Sequence, residues 1–432
     1  MKAKVCAAID AWAAKVEALA QDIEREPELG FKETKTAAKV TAFLQQLGLA
    51  PQTGLALTGV KARVVSGRPG PTVAVLGELD AIGCPDSCKA DPLTGAAHAC
   101  GHHAQITALL GAAIGLTSFN LKEFLSGNVA LIAVPAEEHH PENYYEELLS
   151  EHRISRTSGK QQLIAEGVFD DVDIAMMMHS GHADFTPSGF NGFLIKKIVF
   201  SGRAAHAGLS PEAGINALSM ARLALSAVDF QRDTFRDSDA VRIHGMIQEG
   251  GNAINVVPSR VTATCQIRAK TTEALLDASG KVDRSVQAAA LAFGGGAEIT
   301  TESGYLPFKS SAGLEKIHED NLNLLDPDSG FYNFGHRGSS TDMGDVSMIM
   351  PALHAYTGGT GGTPHARDFV VTDPDQAYLR PAKLLAMNAV ELLYGNAESA
   401  YAVLKTEPEL TREDYKKLYR ESNQTKHWNY MK

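Results

Sequence analysis

Hydrophobic positions recur along this chain with two different periods. A spacing of three and four residues predicts helices over 9–24, 33–47, 105–116, 215–228, 273–293, 317–325 and 378–394. Glu26-Pro27-Glu28-Leu29-Gly30 separates the first two, because proline and glycine end helices. Gly48 stands where a helix C-terminus favours glycine. Short β-branched or apolar runs predict strands over 60–65, 72–76, 128–134, 172–178, 194–200, 241–248 and 261–267. The runs 72–76, 128–134 and 172–178 are largely apolar, as for strands buried on both faces. From 193 to 304 the pattern is that of a compact α+β segment of about 110 residues, the size of an inserted domain. Residues 306–309 are expected to return the chain to the first domain. The polar C-terminal stretch is expected to form a surface helix and a loose tail.

The three buried runs end in chemistry. The first leads into Glu78-Leu79-Asp80, the second into Glu137-Glu138-His139-His140, and the third into His179-Ser180-Gly181-His182. Open α/β sheets gather their functional groups beyond the carboxyl ends of the strands. Between them lies His98-Ala99-Cys100-Gly101-His102-His103, a thiol and three imidazoles at the start of a helix. Imidazole and thiolate suit a transition metal, and nearby carboxylates extend the choice to harder ions. A short motif alone is weak, but the strand ends can supply the missing ligands. Adjacent carboxylates in extended backbone point apart. One of Glu137 and Glu138 can therefore bind a cation while the other takes a proton from the attacking water.

Composition narrows the classes. A chain of 432 residues is long enough for two domains. Its formal charge of −11 argues against nucleic acid or an anionic membrane as partner. No run of 18 apolar residues is present, so no membrane span is expected. Asp10, Lys15 and Glu17 interrupt the Ala-rich start, which reads as an amphipathic helix and not as a secretion signal. The five cysteines are sparse and odd in number, which fits a reducing cytoplasm better than a disulfide framework. Cys84 and Cys88 read as loop thiols, and Met176-Met177-Met178 as packing residues of a core strand.

The order of these motifs resembles the M20 metallopeptidase and amidohydrolase family, in its branch acting on N-acyl amino acids and aminobenzoyl-glutamate-type amides. The likeness runs through Arg25-Glu26-Pro27-Glu28-Leu29-Gly30-Phe31, Glu78-Leu79-Asp80-Ala81, His98-Ala99-Cys100-Gly101-His102 and Pro135-Ala136-Glu137-Glu138. It continues through Gly251-Asn252-Ala253-Ile254-Asn255, Arg268, Ser340-Thr341-Asp342-Met343-Gly344-Asp345 and Thr363-Pro364-His365-Ala366-Arg367. The resemblance implies an α/β fold, a Zn-peptidase-like three-layer α/β/α catalytic domain with an inserted ferredoxin-like lid or dimerisation domain. The catalytic domain would take residues 1–192 and 305–432, and the lid 193–304. The resemblance further implies one or two Mn or Zn ions on Cys100, His102, Glu138, His179 and His365. Glu137 would be the general base, with Asp80 a second catalytic acid. His206 would reach a neighbouring protomer's active site and stabilise an oxyanion, in a homodimer or larger homo-oligomer. Asn255 and Arg268 would hold a substrate carboxylate, which a guanidinium can grip bidentately.

The chain departs from the family pattern at several places. His103 stands where Asp is usual, Gln105 where His is frequent, Glu24 where the N-terminal motif has His, and His139-His140 where two glycines follow the Glu pair. The expected activity is hydrolysis of a C–N bond in a small molecule. Release of ammonia from an activated aromatic amine is the alternative, and a metal-binding protein without catalysis is another. His98 is expected to shape the loop, and His244 to be structural.

Overall fold

The computed structural model describes the chain except for residues 119, 121–122, 139–143, 407 and 432. His139 and His140 therefore lie outside the described residues. The chain forms two compact units. One comprises Met1–Ser188, Lys309–Gly335 and Asp345–Glu409; the other comprises Gly189–Phe308, His336–Gly344 and Leu410–Lys432.

The first unit is built on a mixed sheet. Its strands follow the order Gln52–Leu55, Gly59–Val65, Asn128–Val134, Thr72–Glu78, Ile174–Ser180, Ala352–Thr357 and Phe185–Phe190. The four from Asn128–Val134 to Ala352–Thr357 run parallel, so their carboxyl ends share one edge. Glu78 pairs in register with Val134, and His179 with Tyr356. Every residue of Thr72–Glu78 is buried, as its unbroken apolar pattern predicts for a central strand.

The helix His102–Thr117 lies against that strand and is covered by Lys2–Asp10, Ala13–Glu24 and Arg380–Leu393. It is buried from His102 to Leu116, as a helix apolar on all faces must be. Gly77 permits the close approach: a Cβ there would stand 3.0 Å from the Gln105 carbonyl oxygen. The single helix expected over 9–24 is in fact two, Lys2–Asp10 and Ala13–Glu24. The break at Ala11-Trp12 sets the Trp12 ring edge-on to Phe43, 6.1 Å between centroids.

The second unit carries a five-stranded antiparallel sheet in the order Arg242–Glu249, Arg260–Ala269, Gly192–Ser201, Gly296–Ser303 and Thr425–Asn429. Helices Ala217–Phe230 and Thr272–Phe293 pack on it. The first four strands and two helices follow the βαββαβ order of a ferredoxin-like unit. The molecule thus has the expected class, an α/β unit joined to an α+β one. The fifth strand overturns the expected loose tail. Polar residues dominate Thr425–Asn429, but pairing with Gly296–Ser303 satisfies its backbone, and Trp428 and Tyr430 pack against the buried core.

Candidate metal centre

The parallel strands deliver their terminal residues to one place. Two groups of side chains there have their ligand atoms within 4.8 Å of one another: Cys100, His102 and His179, and Cys100, Glu138 and His365. The Cys100 Sγ lies 3.5 Å from His179 Nε2 and 3.3 Å from His365 Nε2. His365 Nε2 in turn lies 3.1 Å from a Glu138 carboxylate oxygen. All five ligands expected from sequence are therefore brought together, with the thiol common to both groups. A third group, Glu78, His102 and Glu137, adjoins them and sets Glu137 beside the centre.

Local structure fixes each donor. Gly101 takes a φ of +83° between Cys100 and His102, and a Cβ there would meet Ser180 Oγ at 2.7 Å. Only glycine allows that turn without strain. His102 Nδ1–H donates to Asp80, with its carbonyl oxygen at 3.0 Å and its carboxylate at 3.1 Å. That bond leaves the buried Nε2, 3.1 Å from a Glu78 carboxylate oxygen, to face the cluster. A carboxylate behind a ligating imidazole fixes its tautomer and raises its basicity. His179 Nδ1–H donates to the Ser180 carbonyl at 2.9 Å, so it too presents Nε2. His365 sits at φ +65°, held by its N–H to the Ala99 carbonyl at 2.9 Å.

The electrostatics suit a cation. Burial pushes the Cys100 thiol well up, so its thiolate needs a positive partner. Burial alone would lower His102, yet Cys100, Glu78 and the Asp80 bond lift it well above the ordinary range. Burial likewise opposes charge on Glu78, but Lys160, bonded at 2.5 Å, and His102 hold it as a carboxylate. Burial lowers His179, leaving a neutral imidazole ready to bind a metal. Imidazole nitrogens converging with a thiol and carboxylates in one buried cluster fit one or two transition-metal cations.

His103, at the position where the family has Asp, belongs to none of these groups. It is wholly buried, 3.4 Å from the Tyr378 hydroxyl and 3.9 Å from Glu24. Burial lowers it to about 4, so it is neutral. Its ring lies 5.2 Å from that of His98. Gln105 donates to Glu78 at 2.9 Å. Sequence reading passed over Glu33, Tyr145 and Lys160, which brace this region, and singled out Gln105 only as a departure from the family pattern. Their signal was faint, since a charged or polar residue outside a motif reads as solvated surface.

The remaining expected site residues belong to the second unit. His206 is exposed, and its Nδ1 accepts the N–H groups of Gly208 and Leu209 at 3.2 and 3.0 Å. Its Nε2 therefore carries the proton, as a donor to an oxyanion requires. The Asn255 carbonyl accepts the Ala207 N–H at 2.9 Å, which ties the two loops together. Arg268 is half-buried, donates to Ser340 Oγ at 2.7 Å and stacks over Phe193 at 5.2 Å.

Residues 188–292 match the profile of the M20 peptidase dimerisation domain. The Xaa-Arg dipeptidase of Mus musculus is 29% identical over 331 residues, 71% of this chain and 69% of its own. The indole-3-acetyl-aspartic acid hydrolase of Enterobacter agglomerans is 29% identical over 56% of this chain and 54% of its own. Among solved structures, a dinuclear metal binding peptidase from the M20 family of Bacillus subtilis superposes with a TM-score of 0.69. It has 19% identity and covers 89% of this chain and 99% of that one. An aminobenzoyl-glutamate utilization protein from Klebsiella pneumoniae gives 0.63, with 20% identity and 89% and 97% coverage. Residues 188–292 thus match an M20 dimerisation domain, and the chain as a whole is similar to metallopeptidases and amidohydrolases of the M20 family. It is accordingly a metal-dependent hydrolase of amide and related C–N bonds.

Proposed function

We propose that this chain hydrolyses the amide of an N-acyl or aminobenzoyl amino-acid-like small molecule, using two divalent cations. The observation that carries this reading is the pair of ligand groups sharing Cys100, with Glu137 beside them. Cys100, His102 and His179 would hold one cation, and Cys100, Glu138 and His365 the other. Manganese and zinc both suit this mixture of thiolate, imidazole and carboxylate. A cation held by these residues would supply polarisation of the scissile carbonyl and a more acidic water. Glu137 takes the proton of the attacking water and passes it to the leaving nitrogen. Asp80 acts through His102, holding the imidazole in the tautomer that presents Nε2.

An aromatic stack supports an aromatic acyl group. Tyr356 lies 5.0 Å from the His179 ring and stacks on Phe185 at 4.4 Å, with an interplanar angle of 7°. Phe185 meets Tyr332 and Phe334 in turn. Asn255 and Arg268 are assigned to the substrate carboxylate, and His206 to the oxyanion in a partner's site, within a homodimer or larger homo-oligomer. The matched dimerisation domain supports that assembly. Residues 1–192 and 305–432 are proposed as the catalytic domain and 193–304 as the lid, with the compact unit of the lid also taking in His336–Gly344 and Leu410–Lys432. A cytoplasmic setting accords with five free cysteines and with no helix long and apolar enough to cross a membrane, among the described residues. No nucleic-acid partner is proposed for so acidic a chain.

The test is a metal analysis of purified protein, followed by turnover of N-acyl and aminobenzoyl amino acids by wild type and Glu137→Gln. Removal of the base is expected to lower kcat by about 10²–10⁴-fold with both cations retained. Full turnover by Glu137→Gln would remove Glu137 from the mechanism. Ammonia formed without a carboxylic acid would turn the reading to aromatic deamination.

A further inference from the structure

The turn that carries Glu137 and Glu138 is strained and held from outside. Ala136 sits at φ +47°, the left-handed region that disfavours any residue with a Cβ. Such a residue persists only where its surroundings over-determine it. The surroundings here can be named. The Ala136 N–H donates to Glu33 Oε1 at 2.8 Å. The Ala136 carbonyl accepts the Gly159 N–H at 2.9 Å. Two residues on, the Glu138 N–H donates to Asp80 Oδ2 at 2.8 Å, and the Tyr145 hydroxyl donates to the Glu138 carbonyl at 2.9 Å.

Among these, Glu33 is the group with no other evident purpose. It is wholly buried, next to the N-terminus of the helix Thr34–Gln46. Its second oxygen lies 2.6 Å from Thr58 Oγ1. A buried carboxyl is expensive to keep without a task. Resting on the function proposed above, we propose that Glu33 is a positioning residue for the hydrolysis. By accepting the Ala136 N–H, it holds the left-handed turn that aims Glu137 at the reacting water and Glu138 at the cation. Relaxation of Ala136 to an ordinary negative φ would reorient the following peptide and swing both carboxylates away. A displacement of about 1 Å in such a group can cost ~10²-fold in rate.

Burial, and the charge of Asp80 beside it, push the Glu33 carboxyl up to about 8. A neutral acid can accept from Ala136 with its carbonyl oxygen and keep its bond to the Thr58 hydroxyl, which donates to Oε2 here and can equally accept a proton from the acid. Glutamine reproduces both bonds: its oxygen accepts and its amide donates. Alanine reproduces neither, and aspartate is too short to keep the first.

The experiment compares Glu33→Gln, Glu33→Ala and Glu33→Asp with wild type. The first readout is amide hydrogen exchange of the peptide spanning 133–138 in metal-free protein, with the strand Thr72–Glu78 as internal control. The expected result is at least a tenfold faster exchange of that peptide in Glu33→Ala and Glu33→Asp, with the control strand unchanged and Glu33→Gln like wild type. The second readout is turnover of p-aminobenzoyl-glutamate. There kcat should fall about 10²-fold in the alanine and aspartate variants, with KM within threefold and kcat restored in Glu33→Gln. If Glu33→Ala does not fold, Glu33→Asp decides by the same criteria. Unchanged exchange at 133–138, or wild-type kcat in a folded Glu33→Ala or Glu33→Asp protein, would overturn the proposal. So would a uniform loosening that includes the control strand. Glu137→Gln in the same assay keeps the two readings apart, since its full activity would remove the base while leaving the exchange result standing.

Discussion

In the first unit Cys100 and His102 stand at the start of a buried helix and Glu138 and His179 beyond the ends of buried strands, with His102, Glu138 and His179 fixed by hydrogen bonds, whereas His206 and Asn255 of the second are exposed on loops. The difference lies in what holds each group. In the first unit, tertiary packing chooses tautomers and backbone torsions before any ligand arrives. In the second, the local structure fixes a tautomer of His206 through two N–H bonds but encloses nothing. The first region gathers within one unit the donor atoms that a cation needs. In the function proposed above, the second offers a donor to a substrate or a second protomer.

Two substitutions separate these regions by what they remove. Cys100→Ala takes away the donor common to both ligand groups. Metal content measured by elemental analysis should fall from two ions to fewer than one, and turnover with it to the detection limit. Two retained ions would show that the thiol is not a shared ligand. His206→Ala should leave metal content unchanged and lower kcat by about 10²–10³-fold, the usual effect of losing one oxyanion donor. Loss of metal in that variant would erase the distinction between the regions.

The first region was also the more legible in the sequence, for a physical reason. His98 to His103 and Glu137-Glu138 lie next to long apolar runs, and such runs must be buried strands or helices. Charged groups at their ends must therefore converge at one sheet edge. The braces behind the ligands gave no such sign. Lys160, Gln161 and Gln162 look like a solvated helix face, yet Gly159–Ala165 is buried from Gly159 to Ile164. Glu33 lies two residues beyond an N-terminal motif, and its role rests on a backbone N–H 103 residues away. Contacts of that kind leave no local period to read. The fifth strand of the second unit was hidden differently, because one edge strand with a single half-buried tryptophan alternates too weakly to stand out.

The smallest effect concerns stability, and it follows from the same dense burial in the first unit. His318 is wholly buried, and its Nδ1 accepts from the Asn388 amide at 3.2 Å; the Asn388 oxygen accepts from Asn321 at 2.8 Å. Burial lowers His318 to about 4. An unfolded chain protonates this imidazole near its ordinary value of about 6.5, which the folded chain resists. The folded state thus holds fewer protons between those two values, and its stability falls as pH drops through that window. The loss is on the order of 3 kcal/mol across the full interval, at 1.36 kcal/mol per pKa unit. His318→Gln keeps an acceptor for Asn388 and removes the titration. Urea midpoints at pH 7.5 and pH 5 should therefore fall more for wild type than for His318→Gln, even though the variant starts lower from imperfect packing. Equal losses in the two proteins would show that His318 takes no part in the acid sensitivity of the first unit, and that the charge must be taken up elsewhere in its core.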